Sequence, residues 1–313
     1  MGKIKITLLA VLLISILAFQ YLTAEETGGC KELVFKQLEH LPHKVESYPF
    51  RVWYATEGEN AIKDQAVAVS KNQQPVFIDD LLVQLHAADA YYSKQLGLQP
   101  PLSKQRYKKA KFVDVYIVNM SRGNGVAFDE VIASKPHRGE PSYSCGVKFH
   151  VNKNIDPKRN VTPAHELFHM YQSANSMFKA RWYLEGMARW VEQAFRGVSP
   201  RDLAADAPNS CVDVYNESYS ASRYWQDLAK RKNADDIVLS QDYLQLKYSN
   251  ETPVFKQATF KHGAIISDLF QVLESESIER SKEIGYSKYR WPEKVQRSAD
   301  FNEYICDAVE SIE

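Results

Sequence analysis

The stretch VTPAHELFHMYQS, residues 161–173, holds two histidines four positions apart, with a glutamate directly after the first. On a helix, His165 and His169 stand on one face little more than a turn apart, so both imidazoles can reach one point. Zinc takes imidazole nitrogen at short range, and a catalytic zinc site keeps one position open for water. Glu166 lies about 100° around the helix from His165. That offset takes it away from the ligand vertex, yet leaves its carboxylate able to reach a water held by the metal. This is the physical content of the H-E-x-x-H pattern. The competing explanation is three polar residues that share a helix by accident, so the pattern needs a third ligand from elsewhere in the chain.

The next segment, RWYLEGMARWVE at residues 181–192, offers one. Glu185 sits among apolar residues on a second expected helix. It faces the first helix if the two pack across SANSMFKA. Trp182, Leu184, Met187 and Trp190 supply the packing surface, and Gly186 allows close backbone approach. Glu192 is the competing carboxylate, on nearly the same face two turns on. It also suits a supporting role, accepting a hydrogen bond from the far nitrogen of a ligating histidine.

HELFHMYQ followed by WYLEGMARWVE resembles the gluzincin group of zinc metallopeptidases, and in particular its exported, peptidase-MA-like families with a W-x-x-E-G-x-A-x-W second helix. That pattern is met by Trp182, Glu185, Gly186, Ala188 and Trp190, with Glu192 at the trailing acidic position. The resemblance implies His165, His169 and Glu185 as zinc ligands and Glu166 as general base. It also implies a residue that steadies the developing oxyanion. Tyr219 is the first choice, with Tyr224 and His262 as alternatives. The resemblance spans Thr162 to Glu192. The gap from His169 to Glu185 is shorter than in the thermolysin and aminopeptidase branches. The GAMEN exopeptidase signature is absent, and Arg189 stands where a thermolysin-like chain has aspartate. The implied fold is α+β, with a small mixed sheet and helices before a mostly helical lobe and a zincin-like cleft between them. An edge strand in that sheet would pair with extended substrate, and CGVKFHVNK suits the part. The implied activity is zinc-dependent hydrolysis of peptide bonds, most simply as an endopeptidase. A catalytically inactive relative that binds or builds the cell envelope is the alternative. Ester or cell-wall amide substrates would use the same water activation.

The elements that must position these residues follow from periodicity. PVFIDDLLVQLHAADAYYSKQLG has helical spacing through Phe77, Leu81, Leu82, Leu85, Ala88 and Tyr92, and Gly97 ends it. KFVDVYIVNM alternates like a strand, and CGVKFHVNK is another. Between them, residues 121–142 are rich in turn formers, with a short strand expected near Val126 to Phe128. Thr162 is placed to cap the H-E-x-x-H helix, and Pro163 fits its first turn. Later segments, including SASRYWQDLAKRK, FKHGAIISDLFQVLESESIE and the end of the chain after Pro292, have helical period. The expected division is a lobe over 25–175 ending in the motif helix and a mainly helical lobe over 176–313.

Composition bounds the partners. The chain has 313 residues, with 39 Lys plus Arg against 39 Asp plus Glu. No basic excess exists to gather nucleic acid, and the peptide or protein partner is what the resemblance implies. Residues 1–24 combine two early lysines with an apolar run, the pattern of a signal peptide. A retained N-terminal anchor is the alternative. Either way the folded part lies outside the cytoplasm, secreted or periplasmic. ETGGC does not form a lipid-attachment site at Cys30. Four widely spaced cysteines in an exported chain point to two disulfides, and Cys30 with Cys306 is the pairing that would tie the ends together. His137 and His150 precede the motif and are expected to be unrelated to it. The triplets at Asn119, Asn160, Asn216 and Asn250 match the glycosylation pattern.

Overall fold

A computed structural model describes residues 30–32, 41–63, 74–134, 144–198, 208 and 210–313. The apolar stretch over 1–24, expected to be a signal peptide, and His137 lie outside the described residues. Among those residues, no helix is long and apolar enough to cross a membrane.

The architecture is α+β: a mixed sheet followed by a largely helical region. The strands are β1 (Lys31–Glu32), β2 (His43–Ser47), β3 (Phe50–Tyr54), β4 (Phe112–Val118), β5 (Gly125–Ala127), β6 (Ile132–Ser134) and β7 (Ser144–Asn152), in spatial order β1-β6-β7-β4-β3-β2. Parallel β3, β4 and β7 form its centre. They are buried along nearly their whole length, as the dense apolar runs require. Arg51 on β3 is paired with Asp114 on β4 at 2.5 Å, both buried.

CGVKFHVNK is therefore not an edge strand. β7 has β4 on one side, and β6 and β5 follow one another along its other side. The short turn-rich strand β5 is the one that pairs, among the described residues, only with β7.

Helix α1 (Val76–Ala90) continues as a wider π-type turn through Gln95 and stops at Gly97, whose φ of +67° suits the residue without a side chain. The motif helix α2 (Thr162–Asn175) is followed by α3 (Arg181–Val191), α4 (Ser222–Arg231), α5 (Ile266–Glu283) and α6 (Asn302–Glu310). One apolar core runs from Phe50 to Ile312, joining sheet and helices.

Two disulfides are present, and their pairing differs from the end-to-end expectation. Cys30 joins Cys145, fixing the start of the described chain to β7. Cys211 joins Cys306, fixing the segment before α4 to α6. Bonding partners follow strand and helix neighbours, and those neighbours were not visible from cysteine spacing.

Candidate metal centre

Helix α2 is buried on almost all sides, with Leu167, Phe168, Met170 and Tyr171 at 1% exposure or less. Its start is held from outside rather than by Thr162, which is already its first helical residue. The Asn160 side chain accepts from the Thr162 N–H at 2.9 Å. The Gln84 carbonyl on α1 accepts from the Ala164 N–H at 3.1 Å. The Gln84 amide donates to Pro157 O and Asn160 O, at 2.7 and 3.1 Å. One buried glutamine thus joins α1, the preceding turn and the first free amides of α2. At the other end, the Asn175 amide donates to Phe270 O of α5 at 2.7 Å.

Helix α3 is fixed by its tryptophans. Trp182 stacks on Trp225 of α4 at 5.3 Å with 9° between planes, and its indole donates to Asn302 at 2.9 Å. Gly186 does allow a close approach, but to a different neighbour from the one expected. A Cβ there would lie 2.7 Å from Ala221 Cβ and 3.0 Å from Trp225 Nε1, at the start of α4 rather than on α2.

These supports bring His165, His169 and Glu185 together. One donor atom from each lies within 4.8 Å of the other two. Glu185 Oε2 is 3.2 Å from His165 Nε2 and 3.5 Å from His169 Nε2. The opposite ring nitrogens are also engaged. His165 Nδ1 meets Glu192 Oε2 at 2.8 Å, and His169 Nδ1 meets Gln172 Oε1 at 2.8 Å. With Nδ1 of each ring so occupied, Nε2 of both turns to the common point. Glu192 is itself anchored through Oε1 by Arg189 and by Arg196, the latter at 3.0 Å. The Gln172 amide donates to Leu184 O at 3.2 Å, which ties the His169 ring to α3.

The donor chemistry fits a divalent transition ion. Two imidazoles and one carboxylate are buried or half-buried, and each imidazole has a partner on its far side. Without such an ion the charges couple among themselves. Burial would lower the His165 pKa, but hydrogen bonds to Glu185 and Glu192 outweigh it and raise it to about 10. Burial would raise Glu185, but hydrogen bonds from both histidines take it well below the usual carboxylate range. Glu166 moves the other way. Its burial raises its pKa against the pull of the two histidines.

A cavity of about 190 Å³ opens onto this cluster, lined in part by Glu166, His169, Glu185, Tyr219 and the β5 strand. Strand β5 passes directly over the glutamate. A Cβ at Gly125 would lie 2.6 Å from both Glu166 Cγ and Oε1.

The three oxyanion candidates separate. Tyr219 lines the cavity with its ring 5.7 Å from the His165 ring. Burial, with Glu185 charge and a hydrogen bond to Glu185, raises its pKa. Tyr224 is buried elsewhere and donates to Glu310 at 3.0 Å. His262 sits at a left-handed position and meets Ala234 O at 2.8 Å. His150 is buried on β7 between Tyr116 and Phe128, where burial pushes its pKa down to about 3. Gln172 and Gly125 were not singled out from sequence. Gln172 had a signal, being three residues beyond His169 on the same helix. Gly125 had none, because only the register of β5 on β7 puts it over Glu166.

No family model matches the chain, and a search of curated proteins returns no match.

Proposed function

We propose that this chain is an exported zinc-dependent peptidase of the gluzincin type, cleaving peptide bonds within extended substrates. The observation that carries the reading is the gathering of His165, His169 and Glu185 donor atoms within 4.8 Å, beside a cavity that Glu166 also lines. A resident zinc would be held by these three residues, lowering the pKa of a water and polarising the scissile carbonyl. The chain's own groups do the rest. Glu192 and Gln172 hold the Nδ1 sides of the two rings and so fix their orientation. Glu166, its carboxylate raised in pKa by burial, accepts the proton of the attacking water and delivers it to the leaving amine. The Tyr219 hydroxyl donates to the oxygen that gains charge. The outer edge of β5 offers backbone groups to an extended peptide. Two disulfides suit an oxidising compartment outside the cytoplasm, in line with the apolar leader over 1–24.

The test is Glu166→Gln in the secreted protein, scored against a peptide library. The expected result is retained zinc with hydrolysis reduced by at least about a hundredfold. Wild-type protein that holds zinc and cleaves no peptide in the library would contradict the peptidase reading and favour a binding role.

A further inference from the structure

We propose that Arg181 is the residue that recognises a carboxylate on the substrate, close to the bond that is cut. This deepens the hydrolytic reading and rests on it. The cavity over the metal cluster is lined by three cations, Lys179, Arg181 and Arg297, and by three carboxylates, Asp129, Glu166 and Glu185. Two of the cations are spoken for. Lys179 Nζ lies 2.9 Å from Asp129 and 2.5 Å from Glu293. Arg297 Nε lies 2.6 Å from the other oxygen of Glu293. Arg181 has a neutral partner instead, donating to the Ser218 hydroxyl at 3.3 Å. Among the described residues no carboxylate pairs with it. The carboxylates left on the wall, Glu166 and Glu185, belong to the reaction centre, and a bound divalent cation would offset their charge. An exposed guanidinium is then the uncommitted charge of the cleft.

Its place along the cleft sets what it can read. Arg181 is four residues before Glu185 on α3, so the two side chains leave the same face one turn apart. That separation is about 6 Å along the helix, or about two residues of extended peptide at roughly 3.3 Å each. A guanidinium there presents a planar fork that matches a carboxylate. The shared chemistry has two sources, the C-terminal carboxylate of a substrate or an acidic side chain one or two residues from the scissile bond.

The experiment measures binding, not turnover, on zinc-loaded Glu166→Gln protein by calorimetry. The probes are an N-acetylated alanine hexapeptide with a free C-terminus, its C-terminal amide, and amidated versions with a single Glu or Gln stepped along the chain. At least one carboxylate peptide is expected to bind about tenfold tighter than its neutral twin. The ratio should fall to about one when Arg181→Gln is added, and should be partly kept with Arg181→Lys. Preference for the free acid over the amide assigns the terminus, and preference for Glu over Gln assigns a side chain. A ratio of one with Arg181 intact, or a ratio unchanged by Arg181→Gln at equal zinc content, overturns the proposal. Selective binding with no cleavage by the wild type would overturn the peptidase reading while leaving carboxylate recognition in place.

Discussion

Replacing Gly125 by alanine adds one methyl group where the structure has no room for it. The new Cβ would lie 2.5 Å from Thr162 Cγ2 and 2.6 Å from Glu166 Cγ and Oε1. Carbon pairs rest at about 3.5–4.0 Å, so roughly 1 Å must be found. Thr162 begins α2, whose first amides are held by Asn160 and Gln84, so that side gives little. The Glu166 side chain is the softer neighbour and moves. Overpacking of this size costs about 1–3 kcal/mol of stability. With Glu166 as the proposed general base, a displacement of about 1 Å costs up to about a hundredfold in rate. Gly125→Ala is therefore expected to lower kcat by about 10- to 100-fold while zinc content stays at the wild-type level, since the three atoms nearest the added methyl all belong to Thr162 and Glu166. Zinc stoichiometry by mass spectrometry and kcat on a peptide cleaved by the wild type give both readouts. Full activity at unchanged zinc would refute the placing of Glu166 under β5, and loss of zinc would refute its separation from the ligand set.

Glu192→Gln keeps an acceptor for His165 Nδ1 but removes the negative charge to which Arg189 and Arg196 both bond. Zinc affinity, read by competition with a chelator, should fall by about 10- to 100-fold. Zinc uptake should release a proton at pH 7, because the metal-free site holds His165 protonated up to about 10 through Glu185 and Glu192. The raised value favours the proton-bound apo form throughout the range below it, so apparent zinc affinity should climb as pH rises from 6 to 9. Calorimetry in buffers of different ionisation enthalpy counts the proton, and an uptake enthalpy independent of buffer would contradict this. Cys306→Ser opens a loop closed over 95 residues. It should cost about 2–5 kcal/mol, seen as a lower denaturation midpoint under non-reducing conditions, with the metal cluster untouched.

Local pattern carried much of the architecture and left the lateral contacts dark. The motif helix, the helix bearing Glu185 and the strands at 112–118 and 144–152 were legible because their apolar spacing is set by the same burial that holds them. Glu192 was legible as a possible support because two helical turns put it near the face of Glu185. What periodicity does not encode is which element lies beside which. CGVKFHVNK has the alternation of a strand, and the resemblance suited it to an edge, yet neighbours from residues 112–134 flank it on both sides. Gly186 signals a close approach without naming the approached helix, which proved to be α4. The cysteines signal two bonds without their partners for the same reason. Gln84 is a further case. Its role at the start of α2 depends on contacts 73 to 80 residues away in sequence.

The most direct measurement is a crystal of the zinc-soaked protein with diffraction recorded on both sides of the zinc absorption edge. A single anomalous peak bonded to His165 Nε2, His169 Nε2 and a Glu185 carboxylate oxygen, at about 2.0–2.2 Å, is the predicted result. A peak elsewhere, or no peak at full zinc saturation with the Glu185 carboxylate turned from the two rings, would contradict it.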